Sequence, residues 1–293
     1  MSTQPTALVD ETEVEDGRVV VDGSEIHYLT AGHDGPAVIL LHGGGLDSAA
    51  VSWRETLPAL ADGYQVFAPD LPGYGESAHP EAPYSIEYFA HTLSGFMDAL
   101  NITHASLVGI SMGGGIALQF ALSNPDRVDR LVAVDSYGLT GEVPGGKLGY
   151  LVVRLPLFRR LTYGALRNSR RLMRASVRRM VGSPDVVTPG MVVEIEREAK
   201  REDAGLAFNR FQRAEVGWNG LRTEFSDRLH ELSVPTLFVH GAEDTLVPPE
   251  ASIRAATLAP DAELEMMEGV GHWPPRERPE EFAGLVREFL RGV

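Results

Sequence analysis

The stretch LVGISMGGGIALQF, residues 107–120, decides the fold of this chain. Its apolar start predicts a buried strand, and the residues after Ser111 have the apolar spacing of a helix. Between them, Gly109–Gly113 fits the pattern G-x-S-x-G. A serine on so tight a turn needs neighbours without side chains two positions away, because a Cβ there would collide with the strand or the helix. The pattern predicts an exposed hydroxyl at the C-terminal edge of a sheet and at a helix N-terminus, where negative charge is favoured.

Two other structures would give a similar local sequence. One is a glycine-rich turn in which the serine has no chemical role. This alternative is tested by whether the chain also contains a base and an acid for the serine. The other is a dinucleotide-binding loop, which is disfavoured because Gly109, Ser111 and Gly114 do not fit G-x-G-x-x-G.

The organisation of the chain follows from alternating strand and helix patterns, which predict a parallel sheet with right-handed crossovers. The alternation begins with a hairpin turned at Asp22-Gly23 and is later interrupted by a region with helical patterns only. We therefore predict an α/β core domain over 18–138 and 219–293, split by a helical cap over 139–218. Residues 1–17 are predicted to be a polar tail, because they lack the basic start and apolar core of a signal peptide.

Ser111 needs a basic partner, because a serine hydroxyl is a poor nucleophile at neutral pH. Of nine histidines, His272 follows a strand in the loop GVGHWPP, where a catalytic imidazole of a parallel sheet is expected. Asp244, in GAEDTLVP after another buried strand, is the predicted acid that orients it. Glu243 is the weaker candidate, and Asp135, at the end of RLVAVD, is a rival.

The run LLHGGG, residues 40–45, offers amide donors for a developing oxyanion. Consecutive glycines let backbone amides approach a substrate oxygen without interference from side chains. We predict that the amides of Gly44 and Met112 form the oxyanion hole, with Gly43 shaping the loop and His42 buttressing it. A phosphate-binding loop is the alternative, but it lacks the following Lys-Ser/Thr pair.

The composition limits the classes of partner and site. A net charge of -15 argues against nucleic acid as a partner. The absence of cysteine excludes disulfides, thiolate nucleophiles, zinc–thiolate sites and iron–sulfur clusters. We expect a small-molecule substrate, no cofactor, no metal, no transmembrane segment and a cytoplasmic location, and a homodimer is left open. Only two lysines among 26 basic residues fit either a salt-loving organism or a GC-rich genome.

The predicted cap carries a concentrated positive charge. Between Glu142 and Asp185 the sequence has nine arginines and Lys147 but no acidic residue. Amphipathic helices are indicated there by Leu151, Leu155, Phe158, Leu161, Leu172 and Met173. Three roles for the charge are open: pairing with the acidic core or facing water, recruiting an anionic substrate or acidic partner, and binding an anionic membrane surface.

Taken together, the motifs resemble those of the α/β-hydrolase fold family, because they occur in the same order along the chain and at the spacings usual for that family. They are LLHGGG at 40–45, PDLPGYGES at 69–77, GISMGG at 109–114, GAEDTLVP at 241–248 and GVGHW at 269–273. The resemblance covers about 25–141 and 219–291. It implies an α/β-hydrolase fold: a mostly parallel, eight-stranded sheet with a helical cap inserted after the sixth strand.

Within the family, serine at the turn indicates ester, amide or carbon–carbon hydrolysis. HGGG and GHW resemble the enzymes that cleave meta-ring-fission products. Those enzymes usually carry Pro-Gly after the glycine run and a polar residue before the serine, where this chain has Leu46-Asp47 and Ile110. We therefore favour cleavage of a small or medium carboxylic ester through an acyl-enzyme, with carbon–carbon hydrolysis as the alternative. A non-catalytic ligand-binding protein is the alternative from another class.

Three residues are expected at the substrate pocket: Gly43, Ile110 and Trp273. For Trp273, lining the acyl pocket and packing the loop are both open.

Overall fold

An eight-stranded sheet organises the computed structural model, which describes residues 14–143 and 145–292. The strand order across the sheet is β1-β2-β4-β3-β5-β6-β7-β8. The strands are Glu15–Val21 (β1), Ser24–Ala31 (β2), Ala37–Leu41 (β3), Gln65–Pro69 (β4), Ala105–Ile110 (β5), Val128–Val134 (β6), Thr236–Gly241 (β7) and Ala262–Met267 (β8). β2 pairs antiparallel with β1 and β4, and the other pairings are parallel. The predicted mostly parallel, eight-stranded sheet is confirmed.

Helices connect these strands. In the described part of the chain they are Ala49–Trp53 (α1), Thr56–Leu60 (α2), Ile86–Ala99 (α3), Met112–Ser123 (α4), Gly146–Val153 (α5), Pro156–Asn168 (α6), Arg170–Arg178 (α7), Pro189–Ala199 (α8), Leu206–Glu215 (α9), Pro249–Leu258 (α10), Pro274–Glu277 (α11) and Pro279–Leu290 (α12). Helices α5 to α9 lie between β6 and β7, within the residues predicted to form the cap. Over the described ranges, every helix is too short or too polar to cross a membrane.

Hydrophobic packing covers both faces of the sheet. Alternate residues of a strand point to opposite faces, and β3 shows this clearly: Ile39 and Leu41 pack with α3 and α4, whereas Val38 and Leu40 pack with α1, α2 and α12. All four side chains are fully buried. Parallel strands covered on both faces have continuous apolar sequences of this kind, which is why the central strands were predictable.

The N-terminal hairpin corrects one predicted boundary. β1 begins at Glu15, so residues 15–17 belong to a strand and not to the predicted tail, whose residues 1–13 lie outside the described part. The strand extends this far because its backbone pairs with β2 from Glu15↔Thr30 to Val21↔Ser24. The predicted turn at Asp22-Gly23 is confirmed, with φ of 49° and 77°.

Candidate active site

Ser111 lies on the turn between β5 and α4 in a backbone conformation that serine seldom adopts. Its φ is 52° and its ψ is -116°. The turn is held by backbone hydrogen bonds: the Ser111 amide donates to Val134 O at 2.9 Å, and Ser111 O accepts from the Tyr137 amide at 2.9 Å. Such a conformation costs about 1–3 kcal/mol and persists only where the surroundings enforce it. The fold therefore holds the serine in a fixed, strained position at the C-terminal edge of the sheet.

The glycines around Ser111 are required by close backbone contacts. A Cβ at Gly109 would collide with the Gly113 carbonyl, and a Cβ at Gly113 would collide with the Leu41 carbonyl. Met112 is the first residue of α4, so its amide is among those that have no acceptor within the helix. That amide and the helix dipole are available to a negative charge that develops beside Ser111.

His272 and Asp244 form a short buried contact. Nδ1 of His272 lies 2.6 Å from Oδ2 of Asp244, and both side chains are more than 90% buried. Oδ1 of Asp244 accepts hydrogen bonds from the amides of Leu246 at 2.7 Å and Val247 at 3.2 Å. Because the carboxylate is oriented from both sides, Nδ1 of His272 donates to it and Nε2 remains for a proton from another group.

The two groups shift each other's pKa in the direction that a charged pair requires. Burial opposes the ionised form of Asp244, but hydrogen bonds from His240 and His272 outweigh it and hold the pKa well below its usual range. Burial also opposes charge on His272, but the hydrogen bond and the charge of Asp244 raise its pKa above the usual value of 6.5. An imidazole so placed is a stronger base than a free one.

Of the two other acid candidates, Asp135 is buried nearby and Glu243 is exposed. Oδ1 of Asp135 accepts from the Gly241 amide at 2.9 Å, and its Oδ2 is buried without a hydrogen-bond partner. Burial raises the pKa of this carboxyl to about 7. The structure thus brings Asp244, and not its rivals, into hydrogen-bond contact with His272.

His240 separates these two carboxyl groups. Its Nδ1 lies 2.7 Å from Ser252 Oγ, and its Nε2 lies 3.1 Å from Val247 O. Asp135, His240 and Asp244 place their ligand atoms within 4.8 Å of one another, so in the described residues they form the one cluster with metal-ligand spacing. A cation there would compete with the imidazole of His272 for Asp244.

The glycine run after β3 is held by two buried side chains. Nε2 of His42 accepts from the Leu71 amide at 3.0 Å, so Nδ1 carries the proton and donates to Gly43 O at 2.8 Å. The Gly43 amide donates to Asp47 Oδ2 at 2.8 Å. Gly43 therefore shapes the loop, while a Cβ at Gly44 would lie 2.5 Å from the Phe208 ring. The sequence showed Asp47 only as part of the departure Leu46-Asp47, and its role in holding the loop was missed.

A cavity of about 550 Å³ opens beside Ser111, Met112 and His272. Its walls are largely apolar, from Val152, Val153, Phe208, Phe211, Leu246 and Val247, with Tyr137, Gln212, Glu215 and Thr245 as the main polar members. Of the residues that the structure describes, no lysine or arginine lines it. The cavity suits an uncharged or largely apolar group.

Glu215 is a buried carboxylate in this wall that sequence reasoning missed. It accepts from the Ile86 amide at 2.9 Å and the Thr223 amide at 3.2 Å, and the Tyr137 hydroxyl lies at 3.4 Å. Burial, and then the charge of Glu215, raise the pKa of Tyr137 well above its usual range. Glu215 thereby ties the start of α3 to the end of α9.

Two of the three predicted pocket residues, Gly43 and Ile110, do not line the described cavities beside Ser111 and Gly44. Ile110 is 2% exposed and packs in the core with Val108 and Val134, because alternation along β5 points it away from the cavity. Gly43 is wedged between Asp47 and Ser111: its Cβ position lies 2.9 Å from Asp47 Oδ2 and 3.6 Å from the Ser111 Cβ. Trp273 lines a smaller cavity of about 170 Å³ beside Gly44 and also donates to Ser52 Oγ at 3.3 Å. It therefore both lines a cavity and packs against the loop.

Comparison with known proteins identifies relatives that match more than nine tenths of this chain. The chain is 33% identical over 293 residues to 2-hydroxy-6-oxononadienedioate/2-hydroxy-6-oxononatrienedioate hydrolase of Burkholderia vietnamiensis, covering 93% of this chain and 94% of the relative. It is 32% identical over 280 residues to an uncharacterised protein of Mycobacterium tuberculosis, covering 92% and 79%. The solved meta-cleavage product hydrolase of Pseudomonas fluorescens IP01 superposes with a TM-score of 0.80 at 30% identity, covering 96% and 98%.

The sequence model of the family described as alpha/beta hydrolase fold matches residues 36–279, most of the chain. The strand order, the serine turn and these relatives agree with that match. The chain belongs to the α/β-hydrolase fold family and is an enzyme of the hydrolase class.

Proposed function

We propose that this enzyme is a serine hydrolase that cleaves a carbon–carbon bond in a 2-hydroxy-6-oxo-dienoate, the class of substrate named for its relatives. The observation that carries the proposal is that the named hydrolase of Burkholderia vietnamiensis matches more than 90% of both chains. The solved hydrolase of Pseudomonas fluorescens also matches more than 90% of both chains. This choice reverses the preference for esters that the sequence suggested, because the named relatives support the alternative.

In the proposed mechanism, Ser111 is the nucleophile and His272 is its base. Nδ1 of His272 is held by Asp244 at 2.6 Å, so Nε2 takes the hydroxyl proton as Ser111 attacks the carbonyl carbon at C6. The amides of Met112 and Gly44 stabilise the oxyanion that forms. The Gly43 amide is not assigned this role, because it donates to Asp47.

Carbon–carbon cleavage adds a step before this attack. The 2-hydroxy-dienoate must first become its keto form, in which the 2-hydroxyl loses its proton and C5 gains one, so that C5 can later depart with the C5–C6 electron pair. When the tetrahedral intermediate collapses, the C5–C6 electron pair moves into the conjugated keto acid and the acyl group remains on Ser111. The dienolate that departs takes the proton held by His272 and leaves as a shortened 2-hydroxy-dienoate, which restores the neutral imidazole. Water activated by His272 then releases the acid. The apolar cavity suits the substituent on C6.

Ester hydrolysis is the second candidate, and one observation favours it. A dienoate carries a carboxylate, yet the cavity of about 550 Å³ is lined by Glu215 and, within the described chain, by no lysine or arginine. A neutral ester would avoid placing an anion beside that carboxylate. Both reactions use the same acyl-enzyme, so the assay must separate them by substrate.

The test compares two substrates on the purified enzyme. 2-Hydroxy-6-oxo-2,4-heptadienoate is followed by loss of its dienolate absorbance, and p-nitrophenyl butyrate by release of nitrophenolate. The proposal predicts a kcat/KM for the dienoate that exceeds the ester value by at least tenfold, and loss of both activities in Ser111→Ala. Ester turnover without dienoate turnover would replace the proposal with the second candidate. Labelling by a fluorophosphonate that is absent in Ser111→Ala would establish the nucleophile in either case.

A further inference from the structure

Helices α5, α6 and α7 expose large apolar side chains. Six leucines in this part of the chain are between 50% and 70% exposed: Leu148, Leu151, Leu155, Leu157, Leu161 and Leu172. Single exposed leucines are ordinary on a protein surface, but a group of six in 25 consecutive residues marks an interaction surface.

The same helices line the site with their other face. On α5, Gly149, Val152 and Val153 border the large cavity. Tyr163 and Leu166 of α6, and Met173 and Val177 of α7, border the smaller cavity beside Gly44. In a helix, residues three and four apart share a face, so each helix has an inner face toward a cavity and an outer face with exposed leucines.

Arginines occupy the rest of this outer face. Arg171, Arg174 and Arg178 are exposed and recur at positions i, i+3 and i+7 of α7, opposite the buried Met173 and Val177. Arg160 is exposed beside Leu157 and Leu161 on α6. We define the outer face by the exposed leucines Leu148, Leu151, Leu155, Leu157, Leu161 and Leu172, together with Arg160, Arg171, Arg174 and Arg178.

Most of this charge is unpaired. Among the arginines of 145–184 whose side chains the structure describes, Arg170 alone forms an ion pair, with its Nε 2.8 Å from Glu196 Oε1. Of the two arrangements in the first predicted role, pairing with the acidic core or facing water, Arg160, Arg171, Arg174 and Arg178 adopt the second, because all four are exposed. A cleft of about 320 Å³ between α7 and α8 is lined by Arg170, Arg171, Arg174, Pro189 and Val192, which is a setting for an anionic headgroup.

We propose that the outer face of α5 to α7 docks onto the surface of an anionic phospholipid bilayer. Leucines that enter the acyl boundary and arginines that contact phosphates are the features of helices that lie in a membrane interface. The positive charge is concentrated in this segment: residues 143–184 contain nine arginines and Lys147 but no acidic residue, in a chain whose net charge is -15. The acidic remainder would be turned away from the membrane.

A second copy of the chain fits this face less well. A symmetric dimer brings the same patch of both subunits together, and here it would oppose two arginine-rich faces. Docking on a bilayer would instead place the helices that wall the cavities against a source of apolar molecules. This inference concerns binding only and does not depend on which bond the enzyme cleaves.

Vesicle co-sedimentation of the full chain tests the proposal. We expect binding to vesicles of phosphatidylcholine mixed with phosphatidylglycerol, little binding to phosphatidylcholine alone, and weakening by salt. Each basic side chain at an anionic membrane contributes about fivefold to binding. The triple variant Arg171→Gln/Arg174→Gln/Arg178→Gln should therefore bind on the order of 100-fold more weakly, and Leu157→Ser/Leu161→Ser should also lose binding.

Three controls make the outcome decisive. Arg254→Gln/Leu258→Ser changes exposed residues of the same types on α10 and should bind like the wild type. Ser111→Ala should also bind fully, so failure of the proposed catalysis does not affect this test. Thermal unfolding verifies that each variant is folded. Absent binding by the wild type, or equal loss in the α10 control, would overturn the proposal, as would a dimer that Leu157→Ser/Leu161→Ser dissociates.

Discussion

Asp135 and Asp244 approach the same nitrogen of one buried histidine: Nε2 of His240 lies 3.4 Å from an oxygen of each. The two carboxyl groups differ in ionisation. Asp244 is ionised because His240 and His272 donate to it, whereas burial raises the pKa of Asp135 to about 7. One charge therefore faces His272 from Asp244 throughout the neutral range, and a second appears on Asp135 as the pH rises.

The first prediction concerns the pH dependence of catalysis. The base His272 must be neutral to act, so kcat/KM should rise with pH through a pKa above 6.5. The charge on Asp135 also favours the protonated imidazole. Asp135→Asn removes it, so the acidic limb of the pH profile should move to lower pH, by up to about one unit. A limb that stays in place, or moves upward, would show that Asp135 does not act on His272.

The second prediction is that Asp135→Asn changes how the free energy of unfolding depends on pH. Asp135 binds its proton more tightly in the folded than in the unfolded protein, because its pKa rises from 3.8 to about 7 on folding. Its contribution to the free energy of unfolding is therefore lost as the pH increases from about 4 to 7. Asp135→Asn has no such loss, so its stability relative to the wild type should increase between pH 5 and pH 8. Urea unfolding at these two pH values measures the difference, and a constant difference would contradict the assignment.

The third prediction separates the two candidate acids by activity. Asp244→Asn should lower kcat by about 10³–10⁴-fold with little change in KM, because the amide no longer fixes the proton of His272 on Nδ1. Asp135→Asn keeps an acceptor for the Gly241 amide, and its kcat at pH 8 should stay within about tenfold of the wild type. Steady-state kinetics of both variants decide the matter. Equal losses would mean that the two aspartates share the role.

The parts of the site that were predictable share a local sequence signal. Ser111, Asp244 and His272 each follow their own buried strand, and loops at the C-terminal ends of parallel strands converge. Ile110 was misplaced because the sequence marks it as a neighbour of the serine, whereas strand alternation turns its side chain into the core. Because β5 is buried on both faces, its sequence has no alternation of apolar and polar residues that would show which face Ile110 occupies.

Glu215 and the start of β1 were missed for a different reason. The carboxylate of Glu215 joins the amide of Ile86, 129 positions away, and a contact so distant leaves no pattern in either segment. β1 is an edge strand whose first residues, Glu15 and Asp16, are charged. Charged residues are typical of edge strands, but in the sequence they continue the polar composition of the preceding residues and so were predicted to belong to the tail. Tertiary pairing decided both cases.

Asp47 gives a prediction about the glycine loop. Its carboxylate accepts from the amides of Gly43 and Ser48 and from the Ser52 hydroxyl, with both oxygens buried. In Asp47→Asn, the side-chain NH₂ group must face either the Gly43 amide or the Ser48 amide, and two donors cannot bond to each other. The lost hydrogen bond should lower the free energy of unfolding by about 1–3 kcal/mol. Because Gly44 follows Gly43 directly, kcat should fall by at least tenfold. Ser52→Ala is the control: it removes one donor to Asp47 and the acceptor of Trp273 Nε1, but it leaves the Gly43 contact in place. A normal kcat in Asp47→Asn would show that the loop holds its shape without it.

Gly44 and Phe208 give the last prediction. A Cβ on Gly44 would lie 2.5 Å from the Phe208 ring of α9, so Gly44→Ala must push either the loop or the ring away. Displacement of the Gly44 amide weakens an oxyanion donor, and the loss of one such donor lowers kcat by about 10²–10³-fold. Phe208→Leu removes ring atoms from the contact, so the double variant should recover part of the kcat that Gly44→Ala loses. The coupling energy from the four kcat values measures this recovery. Strictly additive losses would mean that the alanine acts by restricting the loop backbone and not through Phe208.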